Sequence, residues 1–313
     1  MNPRIKALTY LHIAVFLWGF TAILGKLISY NSFNLVWHRM LLTAAVYACI
    51  PAVWRGVAAI SRRDFLIFTG IGLIVALHWI TFYGSIKLGN SASVTLACLG
   101  SASFFSAILD PLINRKSLKV QELFIGLLVV AGIYIIHYSL PSGGAHAVDY
   151  TAAIVTGIAS AALAALFTAL NKRNIEKASS VAISAIEMLA GAAVLSIVFP
   201  LFAGPEAVWI PEYNPDAGNY DLVWVLLLSL VCTNLTFYLG THALKEISAF
   251  TANLSVNLEP IYGIVFGAII FKENQMLNAG FYGGAALILV SVFIQTFYEY
   301  RLRKKQANAN GNG

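Results

Sequence analysis

Asn234, Tyr238 and His242 are spaced by four in an otherwise apolar run, which places them on one helix face with Thr241 beside it. Such a stripe donates and accepts hydrogen bonds. It suits the wall of a wet cavity, and equally a tie between two helices. His242 stands near the end of its run, where a boundary role competes with ligand contact. Asn253 and Asn257 repeat the spacing and are followed by Glu259-Pro260. Proline removes a backbone donor and disturbs the residues before it. Glu259 then has two readings. It recognises a substrate amine or exchanges a proton, or it bonds a neighbouring helix. His78 and Phe82 share one face of an earlier run, and Trp79 and Tyr83 share the adjacent face. Aromatic rings with polar tips can enclose a flat or apolar group, or simply pack. Thr95 and Cys98 lie in a small-residue, hydroxyl-rich run (Ser91 to Ser106) that mainly favours close helix packing.

Other chemistry is missing from the sequence. It has no HExxH, no GxxxxGK, no GxSxG and no carboxylate cluster at metal spacing. Cys49, Cys98 and Cys232 form no CxxC pair and read as small core residues. The expectation is therefore a chain without catalytic residues, metal or cofactor, and with no nucleic-acid partner.

The elements that must carry these residues follow from composition. Of 313 residues, 59% are apolar and only 11% charged, and the mean hydropathy is +0.76. A soluble domain carries about 25% charged residues and needs them to cover its surface. These numbers indicate a multi-pass membrane protein. Apolar runs of bilayer-spanning length recur at about 8–28, 33–54, 65–86, 91–110, 119–139, 149–171, 180–203, 221–243, 248–270 and 276–298. The fold class expected is all-α with ten transmembrane helices.

Lysine and arginine orient them. With the N-terminus inside, 16 of the 20 basic residues fall on inner segments and only Lys87 and Lys272 on outer turns. Both termini are thus expected in the cytoplasm, and the basic tail Arg301 to Lys305 can meet anionic lipid. Residues from Gln306 onward read as disordered. Arg39 and Glu187 lie in spans at opposite depths. They are not expected to pair, and each should snorkel or find a backbone partner. Asp110-Pro111 reads as the turn that ends the fourth span.

Five spans on either side of the loop 140–148 would place two similar halves in opposite orientations. A shift of 158 aligns 87–136 with 245–294 without gaps, matching Lys87 to Lys245, Leu96 to Leu254 and Gly126 to Gly284. The divisions are 1–139 for the first five-helix repeat, 140–148 for an outer connecting loop, 149–298 for the second repeat and 299–313 for a basic cytoplasmic tail.

Leu258-Glu259-Pro260, then Phe271-Lys272-Glu273 and Gly280, resemble the C-terminal repeat of the drug/metabolite transporter superfamily, EamA type. Leu17-Trp18-Gly19 with Lys26 resembles that family's first helix, and Arg39 its usual arginine in the second. Two positions depart from the pattern: Ala102 stands opposite Pro260, and Arg115 opposite Glu273. The resemblance implies a ten-helix secondary carrier of a bacterial inner membrane, whose central cavity is lined by the first, third, fourth, sixth, eighth and ninth helices. It also gives Trp18 a claim to the cavity, where its indole N–H needs an acceptor. The cavity candidates are then Trp18, His78, Trp79, Tyr83, Thr95, Asn234, Tyr238, His242, Asn253 and Asn257, with Glu259 and Pro260 as coupling or helix-break positions. No cluster of inward bases is visible, which argues against phosphorylated cargo. The expected cargo is a neutral or zwitterionic metabolite such as an amino acid, exported by alternating access. Proton-coupled efflux of lipophilic or cationic compounds is the alternative. Ten helices can form a complete monomer.

Overall fold

A computed structural model describes residues 3–115, 117–140, 148–211, 220–243, 246 and 258–310. Every regular element among them is helical. Six helical segments are long and apolar enough to cross a membrane: Pro3–Leu27, Arg62–Gly89, Ala92–Asn114, Val120–Ser139, Tyr150–Lys177 and Ser180–Ala203. A bent pair, Ser32–Ala48 with Pro51–Ala58, makes a seventh if taken as one span. Shorter apolar helices cover Asp221–Leu235, Glu259–Phe271 and Ala279–Gln295. In chain order the helices are α1 (Pro3–Leu27), α2 (Ser32–Ala48), α3 (Pro51–Ala58), α4 (Arg62–Gly89), α5 (Ala92–Leu99), α6 (Ala102–Asn114), α7 (Val120–Ser139), α8 (Tyr150–Asn174), α9 (Ser180–Ile197), α10 (Phe199–Ala203) and α11 (Pro205–Trp209). They continue with α12 (Asp221–Ser229), α13 (Thr236–Ala243), α14 (Glu259–Phe271) and α15 (Ala279–Asn310). A π-helical stretch, Leu230–Leu235, joins α12 to α13.

Three expectations need correction. The second run does not continue straight to residue 54. Pro51 forces Ile50 into extended backbone (φ −97°, ψ 111°), and α3 leaves at 90° to α2. Asp110-Pro111 is no turn, because α6 runs through it to Asn114 and stops at Arg115 in left-handed backbone (φ 52°). Asp110 instead accepts from Asn114 at 2.7 Å and pairs with Lys172 at 3.5 Å. Finally, α15 continues past Gln306 to Asn310. Its Arg, Lys, Gln and Ala residues are good helix formers with no Gly or Pro among them to stop the helix.

The helix ends gather at two levels. At one, Lys177 binds Asp64 at 2.7 Å and Arg173 donates to the Ile113 carbonyl at 3.0 Å. At the other, the Asp149 N–H reaches the Leu88 carbonyl, Asn278 donates to the Ser139 carbonyl, and Ser29 donates to Asp221. Small residues set how closely helices approach between these levels. Gly132 of α7 and Gly284 of α15 meet backbone to backbone. A Cβ on Gly284 would lie 2.4 Å from the Gly132 carbonyl, and one on Gly132 would lie 2.7 Å from the Gly284 carbonyl. Around this contact Val129, Ile133, Ile136, Phe281, Ala285 and Ile288 form one apolar cluster. A larger one joins α1, α2, α4, α9 and α12.

Candidate functional site: a polar junction inside the helix bundle

Position along the sequence predicts that Arg39 snorkels or finds a backbone partner. The structure corrects this. Arg39 is 4% exposed and turns inward from α2. Its Nη1 donates to the Tyr83 hydroxyl at 2.7 Å and its Nε to Thr233 Oγ1 at 3.1 Å. The guanidinium lies over the Trp79 ring, 3.7 Å from the centroid. The inward turn has a physical cause, since α4 offers a ring face and a phenol while the π stretch offers a hydroxyl at the same level. Cation–π attraction and charge-assisted hydrogen bonds both strengthen where water is excluded. Glu259, half-buried at the start of α14, is within electrostatic reach of Arg39 and of Tyr83. Among the described residues no carboxylate pairs directly with Arg39.

The π-helical stretch carries one hydroxyl, Thr233, and one amide, Asn234. Its wider turns close through side chains: Thr233 Oγ1 donates to the Leu228 carbonyl and Asn234 Nδ2 to the Ser229 carbonyl, each five residues back. Such bulges recur at functional sites. One turn further on, Thr236 accepts from the Trp18 indole N–H at 2.9 Å. The acceptor that Trp18 requires therefore lies 218 residues along the chain. Among the described residues, four polar atoms on these helices are buried with no partner: Asn34 Oδ1 and Thr43 Oγ1 on α2, Ser229 Oγ on α12 and Asn234 Oδ1 on the π stretch.

Other candidates lie elsewhere. His78 Nδ1 is 2.9 Å from both the Ser160 carbonyl and the Ser160 hydroxyl, and that hydroxyl donates to the His78 carbonyl at 3.1 Å. This reciprocal set ties α4 to α8, with Phe167 packed on the imidazole. Replacing Ser160 with Ala should therefore lower stability by about 1 kcal/mol, the usual range for an interhelical membrane hydrogen bond. Thermal unfolding of the purified protein in detergent measures this, and an unchanged midpoint would count against the tie. Thr95 is fully enclosed, 2.8 Å from Ser85, whose hydroxyl donates to the Ala153 carbonyl. Pro260 stands in the first turn of α14, a place where its missing N–H costs nothing. Tyr238 and His242 fall on α13, but their side chains lie outside the described residues, as do Asn253 and Asn257 entirely.

Glu187 also departs from expectation. It is 3% exposed and does not snorkel, and its Oε1 has no hydrogen-bond partner among the described residues. Arg39 bonds to Tyr83 and Thr233 and not to Glu187, in line with the expectation that the two would not pair.

Lys26 and Glu273 meet at the helix-end level. Lys26 Nζ lies 2.8 Å from Glu273 Oε1 and 4.6 Å from the Phe271 ring centroid. Glu273 is 1% exposed and also accepts from the Ala92 and Ser93 N–H groups and the Ser91 hydroxyl, each at 3.0 Å. It caps the start of α5, where unpaired N–H groups and the helix dipole favour an anion. Burial alone would raise the Glu273 carboxyl, but these donors outweigh it and hold it below the ordinary glutamate value.

The arrangement ties early helices to late ones through polar contacts inside an apolar bundle, and comparison with known proteins gives it a family. The model of the EamA-like transporter family matches residues 5–138 and again residues 151–297. The chain belongs to that family. It is a multi-pass membrane protein, and the family is one of transporters. The chain is 26% identical over 282 residues to the uncharacterized transporter YetK of Bacillus subtilis (strain 168), covering 87% of this chain and 78% of that protein. A solved crystal structure matches with a TM-score of 0.62 at 17% identity, over 95% of this chain and 98% of its own, a likeness of fold alone. For this EamA-like chain, sequence reasoning identified Trp18, Trp79 and Tyr83 but missed that Arg39 and Thr233 join them. The available signal was an arginine inside an apolar run, which by default marks a functional or paired position.

Proposed function

We propose that this EamA-like protein is a secondary carrier that exports a small neutral or zwitterionic metabolite across a bacterial inner membrane. Ten helices would form two inverted five-helix repeats, 1–139 and 149–298, with both termini cytoplasmic. The observation that carries the reading is the polar junction. Trp18, Arg39 and Tyr83 come from the first half and Thr233 and Thr236 from the second, and the Trp18–Thr236 and Arg39–Thr233 bonds cross the halves. Groups of this kind within a membrane face a cavity or a partner. Movement of one half against the other would break and remake these bonds, which is what alternating access requires. The bias of 16 inner bases to 2 outer ones supports the orientation. No resident cofactor is invoked, and proton exchange through Glu259 is an optional coupling.

The test compares metabolites in the medium of cells expressing wild type with those expressing the Tyr238→Ala/Asn257→Ala double variant or Trp18→Phe, at equal membrane levels. A metabolite enriched outside with wild type alone is the expected result. Equal enrichment with the variants would remove these residues from the cavity. A solute depleted from the medium would reverse the direction.

A further inference from the structure

We propose that Arg39 is the anchor for a carboxylate on the transported solute, so that the cargo is a small carboxylate-bearing molecule. This rests on the carrier reading above and narrows it to a chemical class.

The inference comes from what surrounds the guanidinium. Arg39 is buried, yet the two hydrogen-bond acceptors of its guanidinium are neutral hydroxyls and its third close neighbour is an indole ring. A buried charge without a counter-charge is costly, and proteins normally supply one. Glu259 bears on Arg39 from a distance but forms no direct pair among the described residues. A guanidinium has five N–H donors. Two are bonded here, through Nε and Nη1, and the N–H groups of Nη2 have no acceptor among the described residues. Stacking on Trp79 fixes the plane of the fork, and the bonds to Thr233 and Tyr83 fix its rotation. The free edge is thus pre-set for a planar two-oxygen acceptor, the geometry a carboxylate presents.

A second observation is independent of the arginine. Thr43 lies one turn along α2 from Arg39. Ser229 and Asn234 flank Thr233 on the facing helix. All three keep a buried polar atom without a partner among the described residues. Buried polar atoms are normally satisfied by protein, water or ligand. A plain cross-link between α2, α4 and the π stretch would need neither the charge nor these open groups, since a neutral amide could bond both hydroxyls. The Glu259 carboxyl, which interacts with Arg39 from a distance, is a candidate partner for an amine, so a zwitterion is a good match.

The test uses purified full-length protein in lipid nanodiscs. Phenylglyoxal labels accessible arginines, and peptide mass spectrometry reads Arg39 against Arg301 as a surface control. The probes are pooled protein amino acids and, separately, the pooled amides of the same amino acids. Labelling of Arg39, slowed about tenfold by the acids and not by the amides, is the expected result. Absence of labelling at Arg39, absence of protection by the acids, or equal protection by the amides would each overturn the proposal. Counterflow of the protecting acid in proteoliposomes then compares wild type with Arg39→Lys and Arg39→Met. Lysine keeps the charge but loses the fork, so affinity should fall about tenfold, and methionine should abolish flux. Equal flux in monodisperse Arg39→Lys would overturn the anchor and leave the carrier reading standing. Selective protection by acids with no flux in wild type would overturn the carrier reading and leave the carboxylate site in place.

Discussion

Glu273→Gln should cost about 3 kcal/mol or more of stability, the range for breaking a buried ion pair by removing one partner. The amide cannot satisfy Lys26 while also accepting from Ala92, Ser91 and Ser93, and Lys26 is left enclosed beside Phe271. Lys26→Met should be comparably harmful, because Glu273 then keeps its charge without its cation. The double variant should recover part of the sum, because neither charge is stranded. Denaturation midpoints of the three variants in detergent measure the coupling, and strictly additive losses would show that the pair contributes nothing. The pH dependence follows from the lowered Glu273 carboxyl. In the unfolded chain the group titrates near about 4.3. Its contribution to stability is fully present above that value and is lost as pH falls through the lower folded value. The wild-type midpoint should therefore drop in that acid window, and Glu273→Gln should flatten the drop.

Gly284→Leu should prevent normal assembly of α15 on α7. The glycine has no room for even a Cβ, which would press on the Gly132 carbonyl at 2.4 Å and on Ile136 Cγ1 at 2.7 Å. Backbone atoms cannot step aside as a side chain tip can. The helices must separate, and the dispersion contacts of Val129, Ile133, Phe281 and Ile288 are lost with them. Overpacking in a dense core costs about 1–3 kcal/mol and sometimes more. Membrane helices lack a hydrophobic drive to re-associate, which places this case at the upper end. The measured quantity is the monodisperse fraction on size exclusion after detergent extraction, expected to collapse. Gly283→Leu is the control, since nothing lies within 4 Å of its Cβ position. Equal yields for the two variants would show that the close approach does not matter.

The amino-acid sequence by itself determined that this is an all-helical membrane chain, because apolar runs of bilayer length and a scarcity of charge leave no soluble solution. It also marked individual residues that needed explanation. Trp18 needed an acceptor, Lys26 and Glu273 stood as separate motif positions, and Arg39 was a charge inside an apolar run. What each of them meets was decided by tertiary structure. Lys26 finds Glu273 across 247 positions of sequence, and Trp18 finds Thr236 across 218. Periodicity assigns a residue to a face of its own helix but carries no information on which helix will pack there. For the same reason Arg39 was misjudged. Depth along α2 argued for snorkelling, whereas an indole face and two hydroxyls brought to its level by α4 and a π-helical turn made the inward position the more favourable one. That turn has no mark in local composition. Within it the Thr233 and Asn234 side chains bond carbonyls five residues back.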